Sequence, residues 1–119
     1  MSKKFLELVA DKEDLELYCS ERNSGGYDIE LEYWSDLGED VIILLTVNEL
    51  TEEEIMHAMY VYEENFDAEE HATELYNLHG AGDTPTSLRA LLRDADEQQE
   101  KLTKIYETML ELHEYKIAR

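Results

Sequence analysis

The chain has 119 residues, 43% of them hydrophobic, which suits one domain with a modest core and argues against low-complexity disorder. Thirty Asp and Glu against ten Lys and Arg give a formal net charge of −20, which opposes binding to nucleic acid or anionic lipid and favours basic partners. The single cysteine, Cys19, excludes an internal disulfide and fits a reducing compartment.

The first residues are not expected to form a targeting signal. Lys3 and Lys4 resemble a basic leader, but Glu7 and Asp11 interrupt any apolar segment that could follow them. No apolar run approaches the roughly 18–20 residues that a membrane span needs. We therefore expect a cytoplasmic protein.

The negative charge is concentrated in the middle of the chain. Positions 23–88 hold 17 Asp and Glu and neither Lys nor Arg. Such a stretch would attract a basic partner and accelerate its approach.

The apolar patterns predict an α+β fold in a single domain, residues 1–119. We expect a three-stranded antiparallel β-meander followed by three helices, of which the last is long. A short helix over residues 3–10 precedes the sheet, because Phe5, Leu8 and Val9 fall on one helical face.

The meander is expected over about residues 14–47. Apolar and polar residues alternate over 15–19 and again over 27–33, which is the period of half-buried strands. Turns are expected at 23–26 and 34–38, where glycine is present. The run at 39–47 is continuously apolar and predicts a more fully covered strand, while the sheet as a whole keeps one acidic, wet face.

Two capping signatures mark the middle helices, expected at about 51–65 and 67–79. Thr51 is followed three residues later by Glu54, and Asp67 by Glu70, as in a capping box. Apolar side chains at helical spacing in the first of these helices should cover the sheet.

The last helix is expected over about 85–117, with Thr84 as its N-cap. At 1.5 Å per residue it would extend about 45–50 Å. Its apolar stripe is interrupted at Gln98 and Gln99, so either the helix breaks there or its end projects and packs on a second copy. The stripe resumes after the glutamines, which favours a possible homodimer through this helix.

The candidate partner-binding residues are mainly acidic. Acids on a strand face repeat about every 6.6–7 Å, close to the phosphate spacing along one DNA strand. Those of the second strand have this spacing, and those near the helix starts and ends extend the surface. The candidates are Asp28, Glu30, Glu32, Glu52, Glu53, Glu54, Tyr60, Glu63, Glu64, Glu69 and Glu70.

Metal binding and catalysis find little support. Glu54 and His57 have the spacing of a di-iron ligand pair, but no second pair of this kind occurs. His71 is expected to hydrogen-bond a neighbouring carboxylate. The sequence has neither a nucleophile elbow nor a glycine-rich phosphate loop, so we expect no enzyme activity, no metal and no cofactor.

One segment resembles a known group of proteins. Phe66-Asp67-x-Glu69-Glu70-His71, followed by Pro85-x-Ser87-Leu88-Arg89-x-Leu91-Leu92-x-Asp94-Ala95-Asp96, resembles small acidic accessory proteins of plasmids, conjugative elements and phages of Gram-positive bacteria. The likeness covers roughly residues 66–112. This group includes anti-CRISPR inhibitors of Cas9 and antirestriction proteins that mimic DNA, so the resemblance implies action in the cytoplasm of a bacterial host.

Charge and resemblance together predict a non-enzymatic inhibitor of a host defence nuclease such as Cas9, acting by acidic mimicry in a basic groove. Neither nucleic acid nor a membrane is an expected partner. Two alternatives stay open: an immunity protein or antitoxin that neutralises a basic toxin, and a structural accessory protein of the mobile element.

Overall fold

The fold is that of a computed structural model, which describes residues 2–79 and 87–117 and the side chains of residues 3–77 and 87–114. Within these ranges, three strands and four helices follow one another as α1 (Ser2–Glu13), β1 (Glu16–Glu21), β2 (Tyr27–Trp34), β3 (Asp40–Val47), α2 (Glu52–Asn65), α3 (Ala68–His79) and α4 (Leu88–Ile117). The expected α+β class is confirmed: an antiparallel meander in the order β1-β2-β3 is followed by three helices, the last one long.

The sheet buries one face and exposes the other. Ile29 is paired with Cys19 on β1 and with Leu45 on β3, and this row belongs to the inner, buried face. The β1–β2 turn depends on Gly26, which has a φ of +85° and lies so close to β3 that a Cβ atom would meet the Val47 carbonyl oxygen at 2.6 Å. A side chain at position 26 would therefore disturb the turn that sets the strand register.

The third strand is less covered than the continuous apolar run predicts. Val41, Ile43, Leu45 and Val47 are buried, but Ile42 and Leu44 are 48% and 51% exposed. The helices lie on the inner face, so the alternate side chains of β3 point to solvent on the other face.

The two middle helices begin as the capping signatures predict. Thr51 Oγ1 accepts a hydrogen bond from the Glu54 amide at 3.2 Å, and Asp67 Oδ1 accepts one from the Glu70 amide at 3.1 Å. The early helix is longer than expected; Phe5, Leu6 and Val9 are among its buried side chains, whereas Leu8 is exposed.

Helix α4 is continuous through the glutamines that were expected to interrupt its apolar stripe. Its start is capped by Ser87, whose Oγ accepts a hydrogen bond from the Ala90 amide, while the expected cap at Thr84 lies outside the described residues. Gln98 is almost fully buried and donates hydrogen bonds to Glu39 and Asp94, so a polar side chain lies in the helix without a break.

In the second half of α4, the apolar side chains from Leu102 to Met109 are covered by their own chain. Leu102, Ile105 and Met109 are buried in one cluster with residues of α1, α2 and the sheet. This part of the stripe that suggested a dimer is thus buried within one copy, and the homodimer stays a prediction.

Candidate partner-binding surface

The exposed side of the sheet, called the outer face below, gathers five carboxylates. Asp28, Glu30 and Glu32 occupy alternate positions on β2, as expected, and their side chains all lie on this face. The register adds two acids that were not among the candidates, Glu16 directly opposite Glu32 on β1, and Asp40 at the start of β3. Directly opposed residues on one face have Cβ atoms about 4.5–5.5 Å apart, so these like charges repel one another.

The crowding of these carboxylates changes their proton affinity. A hydrogen bond with Asp40 raises the pKa of Glu32, and the nearby charges of Asp40, Glu16 and Glu30 raise it further. The hydroxyl of Tyr18 donates to Glu16 at 3.0 Å, and that hydrogen bond raises the pKa of the phenol. The outer face is therefore a surface on which an approaching cation would relieve repulsion.

One base lies close to these carboxylates in the part of the chain that the structure describes. Arg22 Nη1 is 3.9 Å from Asp28 Oδ1, with both side chains well exposed. Asp28 also accepts a hydrogen bond from Thr46 Oγ1 at 3.0 Å. A long exposed pair of this kind contributes little, so most of the negative charge on this face is uncompensated.

Apolar side chains lie among the acids on the same face. Tyr18 is 53% exposed and Trp34 68% exposed, and Ile42 and Leu44 complete the set. Tyr18, Glu30 and Leu44 form one row across the three strands. Aromatic and aliphatic groups surrounded by charge are typical of protein interfaces, where they supply energy and the charges supply orientation.

A second acidic group lies at the β2–β3 turn. Asp36 hydrogen-bonds Glu97 of α4, which raises the pKa of Glu97, and the charges of Asp94 and Glu100 raise it further. Asp94 is buried and accepts a hydrogen bond from the Leu37 amide at 3.2 Å, which fixes the turn to α4. None of these acids was among the expected contacts, because the tertiary fold brings them together.

Three acids of α2 that were candidates make contacts inside the protein. Glu52 Oε1 lies 2.8 Å from His113 Nδ1, and Glu63 Oε1 accepts a hydrogen bond from Thr103 Oγ1, so both join α2 to α4. Glu54 Oε2 accepts the backbone amides of residues 48 and 49 at 2.9 and 2.8 Å. These carboxylates hold the fold together, whatever else they contact.

The remaining candidates on the helices are exposed to solvent. Glu53, Glu64, Glu69 and Glu70 are exposed on α2 and α3. Tyr60 is 45% exposed, with its ring centroid 5.7 Å from that of Tyr106 on α4. They belong to the helical layer, whereas Asp28, Glu30 and Glu32 lie on the outer face, so the expected residues do not form one continuous patch.

His71 and His57 lie in separate surroundings. His71 Nε2 lies 3.0 Å from Glu39 Oε2, so its carboxylate partner comes from the residue before β3 and not from a neighbour in sequence. His57 is exposed, while the carboxylate of Glu54 binds backbone amides. Among the residues that the structure describes, no cluster of three or more His, Cys, Asp or Glu side chains could hold a metal ion.

The sequence matches no protein-family model, and no curated protein or solved structure is significantly similar to it. The resemblance to accessory proteins of mobile elements therefore stays a prediction. Within the described residues, none of the helices combines the length and apolar character that crossing a membrane requires.

Proposed function

We propose that this protein binds a basic nucleic-acid-binding nuclease through its outer face and inhibits it by occupying the groove meant for nucleic acid. The supporting observation is the arrangement of Asp28, Glu30 and Glu32 at alternate positions of β2, with Glu16 and Asp40 beside them. Carboxylates about 6.6–7 Å apart along a strand match the phosphate spacing of one DNA strand.

Electrostatics supports the same role. The pKa of Glu32 is raised first by the hydrogen bond with Asp40 and then by the charges of Asp40, Glu16 and Glu30, so carboxylates are crowded on this open surface and repel one another. A row of Lys and Arg in a nucleic-acid groove would relieve that repulsion and would release counterions, as it does on binding DNA. Cas9, to which the resemblance points, is the first nuclease to test, because its guide–target heteroduplex lies in a positively charged channel.

The sharpest test compares two variants that each lose two negative charges, one from the outer face and the other from the opposite side of the molecule. Glu30→Gln with Glu32→Gln neutralises two carboxylates of the outer face with isosteric side chains. Glu7→Gln with Asp11→Asn neutralises two exposed carboxylates on α1, which packs on the other side of the sheet. Both variants have the same net charge, so they separate the position of the charge from its amount.

The assay measures cleavage of a labelled DNA by the purified Cas9–guide RNA complex over a range of inhibitor and salt concentrations. We expect inhibition by the wild-type protein to weaken as salt rises, and to be weakened at least about tenfold by the outer-face variant but hardly by the α1 variant. Equal losses in the two variants, or inhibition that does not respond to salt, would contradict groove mimicry by this face. A complete lack of inhibition at low salt would exclude Cas9 as the target.

A further inference from the structure

The outer edge of β3 offers unpaired backbone groups beside an apolar groove. Within residues 2–79 and 87–117, strand β3 pairs with β2 on one side only. The Ser35 amide donates to the Glu39 carbonyl oxygen. In an antiparallel ladder such hydrogen-bonded pairs recur at every second residue, so the backbone N–H and C=O groups of Val41, Ile43 and Leu45 also face β2. Those of the intervening residues then face away from the sheet.

A contact with α2 agrees with this assignment. The hydroxyl of Tyr62 donates to the carbonyl oxygen of Ile42 at 3.5 Å, which places that carbonyl on the open edge. Leu44 and Thr46, two and four positions after Ile42, each present one N–H and one C=O group in the same direction. Among the described residues, none is hydrogen-bonded to these four groups.

A groove of about 940 Å³ runs between this part of the edge and α2. On the β3 side it is bordered by Leu44 and Thr46, and on the α2 side by His57, Ala58 and Val61. Val61 is 41% exposed although it is aliphatic. The groove thus combines free backbone groups with an apolar wall, the two features of sites that bind a peptide by adding a strand.

We propose that an extended, basic segment of the partner protein adds to β3 as a fourth antiparallel strand. Every second side chain of the added strand would fill the groove against Ala58 and Val61. The side chains between them would lie on the outer face. There, a Lys or Arg could place its methylene groups over Leu44 and its charged end near Glu30 on β2. The segment recognised therefore alternates apolar and basic residues.

The negative charge of the protein favours a basic segment over a second copy of the chain at this edge. Pairing β3 of one copy with β3 of another would bring together two molecules of net charge −20, and the acids of both outer faces would lie on one sheet. A basic strand meets the opposite charge on the same surface. The other sheet edge, β1, is a poorer site, because the cavity beside it is smaller, about 530 Å³, and the charged residues Lys3, Glu7 and Asp11 share its lining with apolar ones.

This inference shares the basic partner with the proposed function, and it is tested with peptides alone, so each can fail without the other. The probe is a fluorescein-labelled Lys-Val-Lys-Val-Lys-Val-Lys peptide, whose binding to the wild-type protein is measured by fluorescence anisotropy. In the antiparallel arrangement the backbone amides of the lysines face β3 and those of the valines face solvent. Peptides methylated on the lysine amides or on the valine amides therefore form a matched pair with the same charge.

We expect methylation of the lysine amides to weaken binding at least about tenfold and methylation of the valine amides to have little effect. Equal losses, or a larger loss from valine methylation, would overturn antiparallel addition, and so would a failure of the unmethylated peptide to bind. This comparison uses only wild-type protein, so it does not depend on any variant folding.

Variants then locate the edge. Thr46→Pro removes an outward N–H of β3 while leaving the bonds to β2, and should weaken binding by a similar factor. Thr46→Ala, which keeps the N–H, and Glu21→Pro, on the β1 edge, should bind like the wild type. Loss of binding in Glu21→Pro but not in Thr46→Pro would overturn the assignment to β3. The proposal would also be overturned if the wild type forms dimers that the peptide does not dissociate and Thr46→Pro does, because a second copy would then occupy the edge.

Discussion

Glu32 and Asp40 lie diagonally across β2 and β3 on the exposed side of the sheet, and a hydrogen bond with Asp40 raises the pKa of Glu32. Two carboxyls can share such a bond only if one of them holds a proton, so ionising both costs the folded state electrostatic energy. The fold nevertheless keeps both acids, together with Glu16, on a surface open to solvent. This relationship makes the outer face sensitive to pH and to cations.

The first prediction concerns the pH dependence of stability. The pKa of Glu32 is raised above its ordinary value of 4.5, so the folded state binds this proton more tightly than the unfolded state. Its contribution to the free energy of unfolding is therefore largest at low pH and is lost as pH rises through the folded pKa. Glu32→Gln removes the repulsion, and we expect a higher unfolding midpoint at pH 7 and a smaller gain on acidification from neutral pH towards 4.5.

Thermal melts at several pH values and at low salt measure this effect. Glu53→Gln is the matched control, since it removes one negative charge from an exposed position on α2. If both variants change the midpoint and its pH dependence equally, the effect belongs to net charge and not to the Glu32–Asp40 pair.

The second prediction concerns the polar junction of β3, α3 and α4. Gln98 is 2% exposed and donates hydrogen bonds to Glu39 at 2.9 Å and to Asp94 at 3.3 Å. Gln98→Leu leaves both carboxylates with one donor fewer, so we expect it to lower the free energy of unfolding by about 1–3 kcal/mol. Gln99→Leu, at the neighbouring and less buried position, should cost clearly less.

Urea unfolding followed by circular dichroism gives both values. An equally stable Gln98→Leu variant would show that the apolar replacement compensates the lost hydrogen bonds.

Much of this fold could be predicted because its signals are local. Alternation over two strands, glycine in the turns and the Thr51 and Asp67 caps are all short-range patterns, and the structure contains each of them. The exposure of Ile42 and Leu44 could not be predicted, since a continuous apolar run does not show that the helices cover only one face. The same limit applies to sites formed by distant segments.

The candidate site shows that limit residue by residue. Asp28, Glu30 and Glu32 share a face because strand periodicity puts them there. Asp40 joins them through the hairpin register, and Glu52 meets His113 across 61 positions of sequence, which no local pattern encodes. The acidic composition predicts a surface for a basic partner, but only the tertiary fold determines which acids are exposed on it.

The third prediction separates structural acids from available ones on α2. Glu54 accepts two backbone amides ahead of the helix, whereas its neighbour Glu53 is exposed. Glu54→Ala should lower the free energy of unfolding by about 0.5–2 kcal/mol, as loss of a helix cap does, and Glu53→Ala should change it little. Chemical denaturation of the two variants checks this, and equal stabilities would contradict a structural role for Glu54.

The fourth prediction tests how the end of α4 is packed. Ile105 is fully buried in one cluster with Phe5, Leu6 and Ile43, so its contacts lie within a single chain. Ile105→Ala should therefore lower the free energy of unfolding by about 2–5 kcal/mol, while Glu107→Ala, on the exposed side of the same helix turn, should change it by less than about 0.5 kcal/mol. The unfolding midpoint of the wild type should not depend on protein concentration, because no second copy is needed to cover this stripe. A midpoint that rises with concentration, and loses that dependence in Ile105→Ala, would instead place the stripe between two copies.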